Sequence, residues 1–286
     1  MPTSTARGCN GNCDAAEQAM PRDLVRRRVP NGQVPGPGPE PWANGPCRGT
    51  RSRDTARGVT PLITSANNPK LRLIHRVLES RRQREKEGLF VVEGEDLVQA
   101  ADDAGVDPVE VLRAGEDVEP ELLARVSPMG HPPRVMALFR LDSLPHGVEP
   151  LSLSLWRVGD PGNVGTILRT ADAFGASVAL SPGCADPTGP KALRASAGAI
   201  FRIPLAGFDE PSGKRVALVS HGGQPLARLD PGVPVTYVLG AERRGLPDDV
   251  VAACDETATI PLAEGAESLN VAVAGAIALY EHRRGR

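Results

Sequence analysis

Asp160-Pro-Gly-Asn-Val-Gly-Thr-Ile-Leu-Arg-Thr-Ala-Asp-Ala-Phe-Gly-Ala176 lies between two β-prone runs, Leu151-Ser-Leu-Ser-Leu-Trp-Arg-Val158 and Ser177-Val-Ala-Leu-Ser181, and this succession decides the fold. Val164, Ile167, Leu168, Ala171 and Phe174 recur at helical spacing. Asn163 stands where an N-cap belongs and Gly175 where a helix-ending glycine belongs. Strand, helix and strand in succession make a crossover unit, and crossover units build parallel sheets.

The alternation continues downstream. Strands are expected at 151–158, 177–181, 216–220, 234–239 and 257–262, with helices near 163–174, 190–198, 246–253 and 268–283. This is an α/β, doubly wound, mostly parallel sheet with helices on both faces. The strand Pro234-Val-Thr-Tyr-Val-Leu-Gly240 runs into Ala241-Glu-Arg-Arg-Gly-Leu246, which crowds a carboxylate and two arginines onto a glycine-rich turn. Carboxyl ends of strands are where open α/β sheets bind ligands. The last segment, Ile260-Pro-Leu-Ala-Glu-Gly-Ala-Glu-Ser-Leu-Asn-Val271 and onward, passes through a polar loop into a helix opening at Ser268-Leu-Asn270. Ser268 and Asn270 are both good N-cap residues. The helix is apolar at nearly every later position, which reads as burial on all sides.

Upstream, residues 59–145 read as a smaller α/β domain, with Pro145 to Pro150 as a linker. Leu71, Ile74, Val77 and Leu78 mark an amphipathic helix whose polar side carries Lys70, Arg72, Arg76, Arg81, Arg82, Arg84 and Lys86. Strands are expected at Phe90 to Gly94, Val109 to Leu112 and Val135 to Phe139, with a helix from Asp96 to Ala104. Residues 1–58 contain eight prolines and eight glycines, and Leu24, Val25, Val29 and Val34 are their only Leu, Ile, Val or Phe residues. Such a stretch cannot bury a core and reads as a disordered tail.

Composition bounds the function. The formal net charge of −2 taken alone argues against nucleic acid, and 3% aromatics argues against a base-stacking surface. No apolar run approaches the roughly 18 residues of a membrane span. The five cysteines, an odd number, fit a reduced, cytoplasmic compartment. Cys9 and Cys13 lack a second ligand pair, so no metal site is expected.

Three ordered segments carry a resemblance: Asn163 to Arg169, Leu239 to Leu246, and Ile260 to Val271. Together they resemble the signature motifs of the SpoU/TrmH family, RNA ribose 2′-O-methyltransferases of the SPOUT superfamily. Lys191-Ala-Leu-Arg-Ala-Ser-Ala-Gly-Ala-Ile-Phe201 is similar to that family as well, and the likeness spans about residues 60 to 286. It implies S-adenosylmethionine as cofactor, RNA as substrate (ribosomal rather than transfer RNA), a homodimer, and a C-terminal trefoil knot within a methyltransferase domain at 150–286. The knot departs from the usual rule against threaded chains and has no signal in periodicity.

The same resemblance implies site residues. Leu239, Gly240, Ile260, Leu262, Ser268 and Leu269 fall on cofactor-binding positions, with Gly240 leaving room for close approach. Asn163, Arg169, Glu242, Ser268 and Asn270 fall on the reacting end. Arg169 carries the family's proposed base role, yet a guanidinium stays protonated, so gripping the target phosphate suits it better. Glu242 and Asn270 would orient Arg169 and Asn163. Arg81, Arg82, Arg84 and Arg194 are the expected RNA contacts, with Ser196 beside them, and residues 59–145 become the RNA substrate-binding domain.

Other readings stay open at this stage. A noncatalytic RNA-binding or ribosome-assembly factor could keep the fold, but a retired site should have lost residues. A transfer-RNA 2′-O-methyltransferase would share every motif. An enzyme using Ser268 as nucleophile lacks both the Gly-x-Ser-x-Gly turn and a placed histidine.

Overall fold

The computed structural model describes residues 61–128 and 132–284. The expected tail at 1–58 lies outside the described residues.

Asn68 caps α1 (Pro69–Glu79) through its side-chain oxygen, and Pro69 fixes the first turn. Leu71, Ile74, Val77 and Leu78 form its buried face, as their spacing requires. The basic stretch is not one helix, however. Ser80 is extended (φ −135°, ψ 123°) and α2 (Arg81–Glu87) starts anew. Arg84 accounts for the break: its Nη1 donates to the carbonyls of Val77 (2.7 Å) and Leu78 (3.1 Å), which the end of α1 leaves unpaired.

Strands β1 (Leu89–Glu93), β2 (Glu110–Arg113) and β3 (Val135–Arg140) form an antiparallel sheet in the order β1-β3-β2, with α3 (Glu95–Asp103) and α4 (Pro120–Val126) between them in sequence. Side chains alternate across it. Val91, Met136 and Leu138 join α1 and α4 in one core; Phe90, Val92, Ala137 and Phe139 join a second. That second core continues without a break into the C-terminal half, where Phe139 meets Phe201 at 5.3 Å between ring centres.

β4 (Leu151–Leu155), α5 (Pro161–Phe174) and β5 (Ser177–Leu180) are the expected crossover unit. α6 (Pro190–Ser196), β6 (Leu205–Gly207), β7 (Lys214–Leu218), β8 (Gln224–Pro225), β9 (Val235–Leu239), α7 (Asp248–Ala252), β10 (Glu256–Thr259) and α8 (Val271–Arg284) follow. The sheet order is β6-β5-β4-β9-β7-β10-β8, and every pairing is parallel. With both faces covered, β4 and β9 are buried at every position. The serines of β4 therefore do not face water: Ser152 bonds Ser177 (2.7 Å) and Ser154 donates to the Phe208 carbonyl (3.3 Å).

Two helix readings need correction. α5 is capped by Asp160, not Asn163; Asp160 Oδ1 accepts from the amides of Gly162 (2.7 Å) and Asn163 (3.0 Å), and Pro161 takes the first helical position. α8 starts at Val271 and is buried on one side only, leaving Val273 (47% exposed) and Tyr280 (54%) in the open. Gly175 ends α5 in the left-handed conformation, as expected. Among the described residues, no helix is long and apolar enough to cross a membrane.

Candidate active site

β9 delivers Leu239 and Gly240 to the carboxyl edge of the sheet, where the chain folds back at once. Ala241 N–H donates to the Gly245 carbonyl (3.2 Å) and Gly245 N–H returns the bond to Ala241 (2.9 Å). A Cβ on Gly240 would overlap the backbone of Gly245 and Leu246. Glycine is thus required by the turn itself, a reason nearer to hand than the approach of a ligand.

The turn places Glu242 over the start of α5. Its carboxylate accepts from the backbone N–H of Gly159 (3.2 Å) and Asp160 (3.0 Å) and from Asn163 Nδ2 (3.1 Å). Asn163 Oδ1 accepts in turn from Asn270 Nδ2 (2.9 Å). Asn270 Oδ1 accepts from the amides of Ala272 (2.9 Å) and Val273 (3.3 Å). One chain of side-chain bonds therefore joins the three segments singled out by sequence. Asn270, not Ser268, caps α8; Ser268 lies exposed in the preceding loop.

Electrostatics favour this arrangement. Partial burial alone would push the Glu242 carboxyl up, but the donors from Asn163, its own backbone, Asp160 and Gly159 together hold it below the ordinary glutamate value. Lys191, with the Asn163 and Gly162 amides behind it, lowers the Asp160 carboxyl as well. The Lys191 Nζ to Asp160 Oδ2 distance is 2.9 Å.

Beside the turn opens a cleft of about 290 Å³. Leu239, Gly240, Ile260, Leu262, Ser268 and Leu269, the six expected cofactor residues, all line it. Glu242 stands on its rim with Arg243 and Arg244, while Leu218, Val219 and Ser220 from the end of β7 supply a wall the sequence reading missed. The carboxyl-edge rule, applied to that strand, would have found them. Asp160 was missed too, although an Asp before a Pro at a helix start is a capping signal.

Arg169 is not part of the hydrogen-bonded chain. It is exposed on α5 and makes no side-chain hydrogen bond or ion pair with a described residue. Neither Glu242 nor Asn270 orients it. Asp172, one turn on, is taken by Arg202 (2.6 Å).

The expected RNA contacts divide. Arg82 is exposed and pairs with no described residue. Arg81 is shared between Glu85 (2.8 Å) and the Cys184 carbonyl (3.2 Å). Arg84 is wrong as a phosphate contact: it is 6% exposed and its guanidinium is bound to Asp186 (2.8 Å) and the α1 carbonyls. Ser196 is fully buried and bonds Leu193, so it meets no phosphate either. Arg194 pairs with the buried Glu93 (3.3 Å), whose carboxyl burial pushes up against the opposing pull of Ser127 and Arg194.

The SpoU rRNA methylase family matches residues 150–280. A Synechocystis protein described as an uncharacterized tRNA/rRNA methyltransferase is 33% identical over 256 residues, covering 78% of this chain and 93% of its own. The 23S rRNA (guanosine(2553)-2′-O)-methyltransferase of Bacillus subtilis is 31% identical, covering 78% of this chain and 99% of its own. The crystal structure of an AdoMet-bound rRNA methyltransferase from Sinorhizobium meliloti superposes with a TM-score of 0.70 at 29% identity, covering 80% of this chain and 99% of that one.

Proposed function

The chain belongs to the SpoU/TrmH family of RNA methyltransferases, and on that footing we propose that it transfers a methyl group from S-adenosylmethionine to a ribose 2′-hydroxyl of ribosomal RNA. The observation that carries the reading is the Glu242–Asn163–Asn270 chain at the mouth of the cleft.

The cleft fits the cofactor. Leu239, Ile260, Leu262 and Leu269 offer an apolar wall to an adenine ring, and backbone groups at Gly240, Ile260 and Leu269 offer donors and acceptors. Bound there, the cofactor would supply a methyl on a sulfonium, from which a neutral thioether leaves readily as the C–S bond breaks. The protein's task is then to align the hydroxyl and ease its proton away.

Glu242, held ionised, is a weak base and serves as an acceptor that fixes Asn163. Asn163 has one N–H and one lone pair left over after its two bonds, enough to orient a ribose oxygen. Arg169, with no partner among the described residues, is suited to hold the target phosphate and to favour the ionised hydroxyl beside it. Ser268, exposed on the cleft wall, belongs with the cofactor.

Residues 59–145 act as the RNA-binding domain, with Arg82 and Lys86 as exposed cations on α2 that pair with no described residue. The C-terminal part is a trefoil knot, a reading supported by β9 entering between β4 and β7 and β10 between β7 and β8. The protein works as a homodimer, supported by the open Val273 and Tyr280 face of α8. Light scattering at the concentration of the activity assay tests this last point; a fully active single-chain species removes it.

Mapping 2′-O-methylated nucleotides in total RNA, with and without the gene, tests the main reading. A single ribosomal ribose should lose its methyl group when the gene is absent. Loss confined to transfer RNA would redirect the substrate.

A further inference from the structure

The turn leaving β4 contains a residue in a conformation its type disfavours. Arg157 has φ +51°, a region open to glycine and crowded for any side chain with a Cβ. Ala197 shares such an angle, but it ends a helix, where that conformation is ordinary. Arg157 ends no helix. The turn is held instead at three successive residues. Trp156 N–H donates to the Leu239 carbonyl (2.8 Å), Arg157 N–H to Ser181 Oγ (2.9 Å), and Ala185 N–H to the Val158 carbonyl (2.8 Å). These bonds place the turn on the carboxyl edge of the sheet, between the ends of β9 and β5. Gly159, whose N–H holds Glu242, is two residues on.

The side chain is steered as well. Its Cγ lies 3.3 Å from where a Cβ of Gly183 would stand, so it runs along that glycine. The guanidinium carbon sits 5.9 Å from the Trp156 ring centre, within reach of a cation–π contact, and Trp156 rests edge-on against Phe208 at 5.1 Å. Yet the guanidinium is exposed and bonds no described residue. Arg84, Arg194 and Arg202, in contrast, are all committed to carboxylates. A positive-φ backbone, held by bonds at Trp156, Arg157 and Val158, thus presents an exposed cation with no partner among the described residues, two positions before the Gly159 amide that holds Glu242.

We infer that Arg157 is a positioning residue for the RNA substrate: its guanidinium takes a phosphodiester of the strand that carries the target ribose. The planar fork matches two phosphate oxygens, and the fixed backbone with the Trp156 ring holds that fork in place before RNA arrives. The inference rests on the RNA-methyltransferase reading above.

Glycine at this position separates the roles, because it relieves the backbone while removing the cation. Arg157→Gly and Arg157→Lys are compared with the parent full chain for melting temperature, S-adenosylmethionine affinity by calorimetry, binding of unmodified total ribosomal RNA over a salt series, and methyl transfer. Arg157→Gly should melt no lower than the parent and bind the cofactor equally well. It should bind RNA about tenfold more weakly, with a log–log salt slope shallower by about one. Arg157→Lys should fall between, keeping the slope but not the full affinity. Parent-like RNA binding and slope in Arg157→Gly overturn the inference, as does a lowered melting temperature or lost cofactor binding, which would make the residue structural. If the parent binds RNA through Arg157 but transfers no methyl, the inference stands and the catalytic reading falls.

Discussion

Asn270 donates its side-chain amide to the Asn163 side-chain oxygen at 2.9 Å, across 107 residues of sequence. The bond fixes which way the Asn163 amide faces. Its nitrogen must point to Glu242, because an ionised carboxylate only accepts, and its oxygen must then point to Asn270. Asn270 in turn spends its own oxygen on the first turn of α8. Helix capping and the orientation of Asn163 thus reside in one side chain.

Asn270→Ala removes both at once, whereas Asn270→Asp keeps the capping oxygen and loses the donor. The alanine variant should lose about 1 kcal/mol of stability, the usual scale for a cap. The aspartate variant should keep the cap while both variants lose methyl transfer. Thermal unfolding alongside single-turnover rates checks this; an active aspartate variant would show that the Asn163 orientation is irrelevant to turnover.

Glu242 links the site to pH. Its carboxyl is held below its ordinary value in the fold, so its stabilising contribution is full above the unfolded pKa of about 4.3 and fades as pH falls through the lowered folded value. Denaturant unfolding of the parent and Glu242→Gln should therefore differ at pH 7 and converge as pH falls through the lowered folded-state value. A gap that widens on acidification would contradict the assigned direction.

Arg82 and Arg84, two positions apart, should behave as opposites. Arg84→Ala leaves Asp186 nearly buried without its partner and two α1 carbonyls unpaired, and should cost about 3–5 kcal/mol. Arg82→Ala should leave stability within about 0.5 kcal/mol and weaken RNA binding, reducing its salt slope by about one. Parent-like stability in the Arg84 variant would mean that the buried pair is dispensable.

Gly240→Ala should damage cofactor and catalysis together. Its Cβ meets the turn backbone, so the displaced turn takes Glu242 with it as well as the cleft wall. Calorimetric titration with S-adenosylmethionine should show reduced affinity, and a parent-like titration would mean that the turn yields without consequence.

Periodicity carried the core of the fold. Val164, Ile167, Leu168 and Ala171 had to share a helix face, and the flanking β-prone runs had to lie parallel, because local spacing determines both. Residues whose roles depend on distant neighbours were less legible. Ser152 and Ser154 alternate with leucines as an exposed face would, but a second covered face turns them into buried, bonded groups. Arg84 sits in a basic stretch like a solvated cation, and only the arrival of Asp186, 102 residues later, buries it. At the site, the motif match located the cleft residues, while Asp160, whose cap displaces the expected Asn163, and the β7 wall lie outside the matched motifs.

The central claim is methyl transfer governed by the chain from Glu242 to Asn163 to Asn270, with Arg169 holding the substrate. Purified protein, tritiated S-adenosylmethionine and ribosomal RNA from cells lacking the gene test it directly, with Arg169→Ala in parallel. The parent should label one nucleotide, and digestion should place the label on the ribose 2′-oxygen. Arg169→Ala should bind the cofactor as the parent does and transfer at least roughly a hundredfold more slowly. No label in any ribosomal RNA, label on a base, or a parent rate in Arg169→Ala would contradict the account.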